Sequence, residues 1–360
     1  MVLKQRLFIL SLFLFFTSLN LTHSQQTELV SKYYSVMVNY GKTEIHSEFV
    51  NNLNGSHPKG INVEIGKHYL TPKAMETFGC YPRFGFTFNY WDFDYTEVGW
   101  GLTSAVFFEP FLLLRKNFMW SIRGGAGLAW LSNPYSKTDN PVNLAYSTHI
   151  NFPLHIGFNF YKPVNQNLAL KLSASFQHLS NGAVTHPNYG INYSVISFGI
   201  DHSFSGYVIP HKSHTDGLKM PKENRSKRIE AVLGMGPKDV SGTKFLMSYI
   251  QGRYFNQWTR INGWTTGIIG EYDLSIKEDF MENSRFSIFL GHEFIFNKVG
   301  FSQEFGWYAY SPHKTQKKFF QLYSLHMKVL KNMRAGVCLK AHANVAEYVA
   351  GRLAYVFNLN

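Results

Sequence analysis

Cysteine is nearly absent from this chain. Cys80 and Cys338 are the only two, too few and too far apart for a disulfide framework or a cysteine-ligated metal site. In an exported chain they could still pair, and the sequence leaves this open. Charge is also scarce, at 16% of residues. Lys+Arg at 35 outnumber Asp+Glu at 23, yet no basic helix or dense basic patch with a recognisable motif accompanies the excess. Nucleic acid is therefore not expected as a partner. A basic surface suits anionic lipid phosphates better, or serves solubility alone. Past the first two dozen residues no stretch approaches the ~18 consecutive apolar residues of a membrane helix. A short fixed repeat, a glycine-rich phosphate cradle, a heptad run and a His–carboxylate cluster at metal-ligand spacing are missing too. Neither a metal nor a cofactor is expected.

Aromatic residues are abundant. They make up 17% of the chain, with Phe 32 and Tyr 21. The chain opens with Lys4 and Arg6, an apolar run from Leu7 to Leu21, and Thr22-His23-Ser24-Gln25 as a cleavage region. That pattern reads as a signal peptide over residues 1–24, too short for a spanning helix of ~20 residues. Thereafter apolar and polar residues alternate with period two, which puts one kind on each face of a strand. Phe84, Phe86, Phe88 and Tyr90 face Gly85, Thr87 and Asn89. Tyr146, Thr148, Ile150, Phe152, Leu154, Ile156, Phe158 and Phe160 oppose Ser147, His149, Asn151, His155 and Asn159, with Pro153 expected to mark a bulge or break. His149 and His155 face the lumen on that parity. Many rows end in Trp, Tyr or Phe, as aromatic girdles at two membrane interfaces do.

The fold class expected is all-β, an antiparallel transmembrane outer-membrane β-barrel of roughly 12–16 strands. Residues 25–205 carry about half of it, 206–227 form a basic loop or linker, and 228–360 add further strands. One large barrel and two smaller ones split at the linker both fit.

Candidate chemistry lies on one row. From Leu168 to Ser180 the even positions are Leu168, Leu170, Leu172, Ala174, Phe176, His178 and Ser180. The row is apolar until its last two members, a base and a hydroxyl. Two such groups ending a lipid-facing row cost free energy unless they serve a purpose. In the next strand Asn192 and Ser194 share the face of Ile196, Phe198 and Ile200. His178, Ser180 and Asn192 thus form one outward patch, where an imidazole can take a hydroxyl proton and a third group can fix the tautomer.

His178-Leu179-Ser180-Asn181-Gly182, followed by Pro187-Asn188 and Gly190-Ile191, resembles the H-x-S-N motif of the lipid A 3-O-deacylases, also called acyloxyacyl hydrolases. The resemblance spans roughly residues 26–205. It implies a bacterial outer-membrane barrel with His178 as general base and Ser180 as nucleophile. It also implies that Asn181, Gly182 and Asn188 bind the oxyanion or substrate. Lipid A within lipopolysaccharide would be the substrate and outer-membrane lipid the surroundings, with a homodimer left open. One departure stands out: compact members of the family carry a glutamate where this chain has Asn192. Asn192 then acts as an orienter alone, or Glu109 or Asp201 supplies a carboxylate, or the chain is a non-catalytic channel or lipopolysaccharide-binding scaffold.

Overall fold

The computed structural model describes residues 30–182, 184–208, 222–240, 243–276, 281–312, 318–343 and 345–359. The expected signal peptide and most of the basic segment 206–227 lie outside the described residues. The first eight strands are β1 (Val30–Thr43), β2 (Lys59–Tyr69), β3 (Pro82–Asp92), β4 (Trp100–Arg115), β5 (Phe118–Leu131), β6 (Ile150–Pro163), β7 (Leu168–Ser180) and β8 (Ile191–Ser203). A short helix α1 (Pro72–Phe78) sits between β2 and β3. The second eight are β9 (Lys227–Val240), β10 (Thr243–Gln257), β11 (Asn262–Asp273), β12 (Ser284–Phe296), β13 (Val299–Tyr310), β14 (Phe319–Leu330), β15 (Met333–His342) and β16 (Val345–Asn358).

These strands close as two separate eight-stranded antiparallel barrels. β1 pairs with β8 from Tyr33↔Ser203 to Thr43↔Tyr193, and β16 pairs with β9 from Gly351↔Met235 to Asn358↔Arg228. The total of sixteen is at the top of the expected range; the last strand of the first barrel ends at Ser203 and the first strand of the second begins at Lys227. Alternation explains the closure. On β7 and β8 the side chains of Leu170, Leu172, Phe176, Ile196, Phe198 and Ile200 are exposed, while Lys171, Ser173, Ser197 and Asp201 are buried. Apolar residues outside and charges inside are the pattern of a barrel that spans lipid.

An eight-stranded barrel encloses little more than its own side chains, and here many of those side chains are ion-paired. In the first barrel Arg83 binds Asp201 at 2.8 Å, Arg123 binds Glu109 at 2.6 Å, and Lys171 binds Glu64 at 2.6 Å. In the second, Arg253 reaches Glu230 at 2.9 Å, Glu293 at 2.7 Å and Glu304 at 2.6 Å. A cavity of about 40 Å³ remains beside Glu64, Arg123 and His155, room for about one water.

Several expectations change. β6 begins at Ile150, not Tyr146; Tyr146 lies in the loop before it, buried, with its hydroxyl on Val98 O at 2.7 Å. The alternation had run on into a loop that folds back over the barrel mouth. His149 is likewise not lumenal: it lies flat on the outward Trp130, ring centroids 5.3 Å apart. Pro153 causes no slip, since Ala126↔Leu154 and Ala129↔Asn151 keep one register and Pro153 pairs with Leu179. Cys80 and Cys338 are both free and buried, one before β3 and one on β15 of the other barrel. Burial pushes the Cys80 thiol up to about 12, so it stays protonated and inert.

The barrels stand side by side in the same sense. At one end Phe78 and Phe108 pack on Phe296, and Arg260 donates to Glu76 O at 2.6 Å. At the other end His186 Nε2 lies 3.9 Å from Asp239 Oδ1. This second end of the first barrel carries the connections 44–58, 93–99, 132–149 and 181–190, longer than most of those opposite.

Candidate active site

β7 delivers His178 and Ser180 to the outer face because both share the parity of Leu170, Leu172 and Phe176. Register then fixes their neighbours. His178 lies between Leu154 on β6 and Asn192 on β8, and Ser180 lies opposite Phe152. The side chains form one chain of hydrogen bonds. His178 Nε2 meets Ser180 Oγ at 2.9 Å, and His178 Nδ1 meets Asn192 Oδ1 at 2.5 Å. An amide oxygen only accepts, so Nδ1 carries the proton and Nε2 turns its lone pair to the serine. That is the tautomer a general base needs.

The motif loop is held by its own side chains. Asn181 N–H donates to Asn188 Oδ1 at 2.8 Å, and Asn181 Nδ2 donates to Thr185 O at 2.8 Å and Ser147 Oγ at 3.2 Å. Asn181 thus spends its donors on loop geometry. Two neighbouring loops clamp the same segment. Tyr189 N–H and Gly190 N–H donate to Leu144 O at 3.1 Å and Ala145 O at 2.7 Å. Phe49 stacks on Tyr189 with centroids 4.5 Å apart, and His46 Nε2 lies 2.9 Å from Tyr189 O. His46, Phe49 and Tyr189 escaped the sequence reading, because nothing local ties the 44–58 loop to residue 189.

Gly190 has a structural reason to be glycine. Its φ is +78°, and a Cβ there would come within 2.7 Å of His178 Cε1. Gly190→Ala is expected to tilt the imidazole off Ser180 and lower kcat at least about tenfold, with left-handed strain costing only ~1 kcal/mol of stability. Hydrolysis rates on protein that still migrates as a folded barrel check this; an unchanged kcat would refute it.

Neither proposed replacement carboxylate reaches the site. Glu109 accepts from Arg123, Tyr161, Ser121 and Asn159 inside the barrel. Asp201 is bound to Arg83 and to Ser35 Oγ, also inside. Both are buried lumenal groups with their charge already matched, and the barrel wall separates them from His178.

The second barrel borders the site. A methyl group on Gly182 would lie 3.5 Å from Phe152 Cδ2 and 3.7 Å from Val349 Cγ2 of β16.

Comparison with known proteins accounts for both halves of the chain. Residues 68–201 match the family model described as Lipid A 3-O-deacylase (PagL), and residues 227–359 match the one described as Acyloxyacyl hydrolase, C-terminal domain. No curated protein matches. Among solved structures, a mutant of the Rh. blastica porin is similar at 6% identity over 91% of this chain and 100% of that one, with a TM-score of 0.21. CdiB from Acinetobacter baumannii is similar at 8% identity over 93% and 61%, with a TM-score of 0.18. Those two scores are too low to bear on fold or function; the two family matches carry the assignment. The chain belongs to the lipid A 3-O-deacylase family, hydrolases that act on lipid A.

Proposed function

We propose that this chain is an outer-membrane esterase that removes a fatty-acyl chain from lipid A through an acyl-enzyme on Ser180. The observation that carries the reading is the chain Ser180 Oγ, His178 Nε2, His178 Nδ1, Asn192 Oδ1 at the end of an apolar outward row. Substrate and site then share one surface: acyl chains lie along Leu172, Phe176 and Phe152 while the ester reaches Ser180 at the rim. The rim with the longer loops faces outward in such barrels, where lipid A resides.

His178 Nε2 takes the proton of Ser180 as Oγ attacks the ester carbonyl carbon. The tetrahedral oxyanion collapses, the sugar oxygen leaves, and His178 returns the proton to it. Water then attacks the acyl-serine, with His178 again accepting and returning a proton, which releases the fatty acid and restores Ser180. We assign Asn188 Nδ2 and the Gly182 N–H to the oxyanion, since the Asn181 N–H is already donated to Asn188 Oδ1. A homodimer is not required by this scheme.

Against a channel stand the lumens themselves. Ion pairs cross both, and beside Glu64 and Arg123 in the first the free volume is about 40 Å³. The testing experiment is mass spectrometry of lipid A from cells making the wild type or Ser180→Ala. Loss of one acyl chain with the wild type alone supports the reading. Identical spectra, with both proteins folded in the outer membrane, would leave a lipopolysaccharide-binding scaffold.

A further inference from the structure

On the proposed esterase mechanism, Asn192 must be held in one of its two amide flips. His178 Nε2 accepts the serine proton only while Nδ1 carries its own, so the ring must see Oδ1 and not Nδ2. Whatever binds Nδ2 therefore sets the tautomer. An amide also does little to balance an imidazolium, which a carboxylate does well.

Barrel closure brings a carboxylate to this point. β8 has β7 on one side and β1 on the other. His178↔Asn192 is a register pair of β7 with β8, and Thr43↔Tyr193 ends the pairing of β1 with β8. One residue on, the Glu44 N–H donates to Asn192 O at 2.8 Å, which keeps Glu44 in the position beside Asn192. Glu44 shares the outward parity of Val36, Val38 and Tyr40, all exposed. His178, Asn192 and Glu44 thus form one row across three strands on the outer face. Opposed positions in an antiparallel pair hold their Cβ atoms ~4.5–5.5 Å apart, which a glutamate side chain spans easily. Lys42 shares this face but lies one pair lower, opposite Ser194. Glu44 is half-buried where the 44–58 loop leaves β1, two residues before His46, which is bound to Tyr189 O of the motif loop.

We propose that Glu44 is a positioning residue of this site. In the structure the Glu44 side chain makes no hydrogen bond to Asn192; a turn of that side chain brings its carboxylate to Asn192 Nδ2 during acylation, where it holds Oδ1 toward His178 Nδ1 and places a negative charge one residue pair from the imidazolium. The carboxylate missing from position 192 is thereby supplied by the neighbouring strand.

The test is steady-state hydrolysis of lipid A by purified full-length protein in detergent, with kcat and KM separated. Glu44→Gln is expected to lower kcat about tenfold with KM within about twofold, well short of the ~10⁴ tied to a directly bound triad carboxylate. Glu44→Asp should recover part of the loss. In an Asn192→Glu background the effect of Glu44→Gln should shrink at least about fivefold, because a carboxylate then meets the imidazole directly. A Glu44→Gln kcat within about twofold of wild type overturns the proposal. So does an equal loss in both backgrounds, which marks a merely structural role. Ser180→Ala separates the two levels: activity that survives it removes the esterase reading and Glu44's role together. An inactive Ser180→Ala beside a fully active Glu44→Gln removes the role of Glu44 alone.

Discussion

Ser180→Ala and His178→Ala are each expected to lower acyl-ester hydrolysis by about 10⁴-fold or more, and the double variant by no more than the worse single one. The reason is the shared proton. Ser180 Oγ and His178 Nε2 are 2.9 Å apart, and neither performs the attack without the other. Once one is gone, the remaining rate comes from oxyanion donors and substrate binding, which the second substitution does not touch. Additive losses would mean that the two residues act in separate steps, and the acyl-serine scheme would fail. Asn192→Ala should cost less, about ten- to a hundredfold, because an amide orients the ring without neutralising its charge. A loss for Asn192→Ala as large as that for Ser180→Ala would give the amide more than an orienting role. Rates on detergent-solubilised protein with lipid A as substrate give all four numbers, provided each variant keeps the migration of a folded barrel.

Much of this site is legible in the sequence because a strand's parity is local. From Leu170 to Phe176 the even row is apolar and the odd row polar, so the outward direction of His178 and Ser180 follows from their even numbers. The same rule disposes of Asp201, which lies an odd number of residues from Asn192 on β8 and therefore faces the lumen. What parity cannot supply is which strands meet. Glu44 stands beside Asn192 only because the first and eighth strands pair, a contact between distant parts of the chain that depends on closure after eight strands. Closure is in turn decided by lumen contents. Each half contributes three or more buried carboxylates with matching cations, enough to fill an eight-stranded interior but far too few for a sixteen-stranded one. Loops were the other weak point. Tyr146 and Thr148 extend the alternation of β6 by coincidence, and the loop that holds them packs over the mouth through the Tyr146 hydroxyl on Val98 O and the bonds from Tyr189 and Gly190 to Leu144 and Ala145.

Arg253→Met is expected to destabilise the second barrel by ~3–5 kcal/mol, the cost of leaving a buried charge without its partner. Arg253 is wholly buried and divides its guanidinium among three carboxylates, with Nε on Glu304, one terminal nitrogen on Glu230 and the other on Glu293. Those carboxylates do not depend on it equally. Glu230 and Glu293 also bind Arg228, at 2.6 Å and 2.7 Å. Glu304 keeps Gln251 Nε2 at 2.8 Å, a neutral donor in place of a charge. Arg253→Lys should fail almost as badly, since an ammonium cannot reach three acceptors in a fork. The control is Asp94→Asn, which breaks the Lys59–Asp94 pair at 3.3 Å with side chains 54% and 42% exposed. That change should cost less than ~1 kcal/mol. Urea titration of the folded band in detergent compares the three. An Arg253→Met midpoint equal to that of the control would show that the lumenal network does not hold the barrel. The same series bears on catalysis, because Val349 and Asp239 of this barrel border the motif loop through Gly182 and His186. While the barrel stays folded, Arg253→Met should leave hydrolysis at the wild-type rate, and activity should fall only as the second barrel unfolds and its wall beside Gly182 is lost.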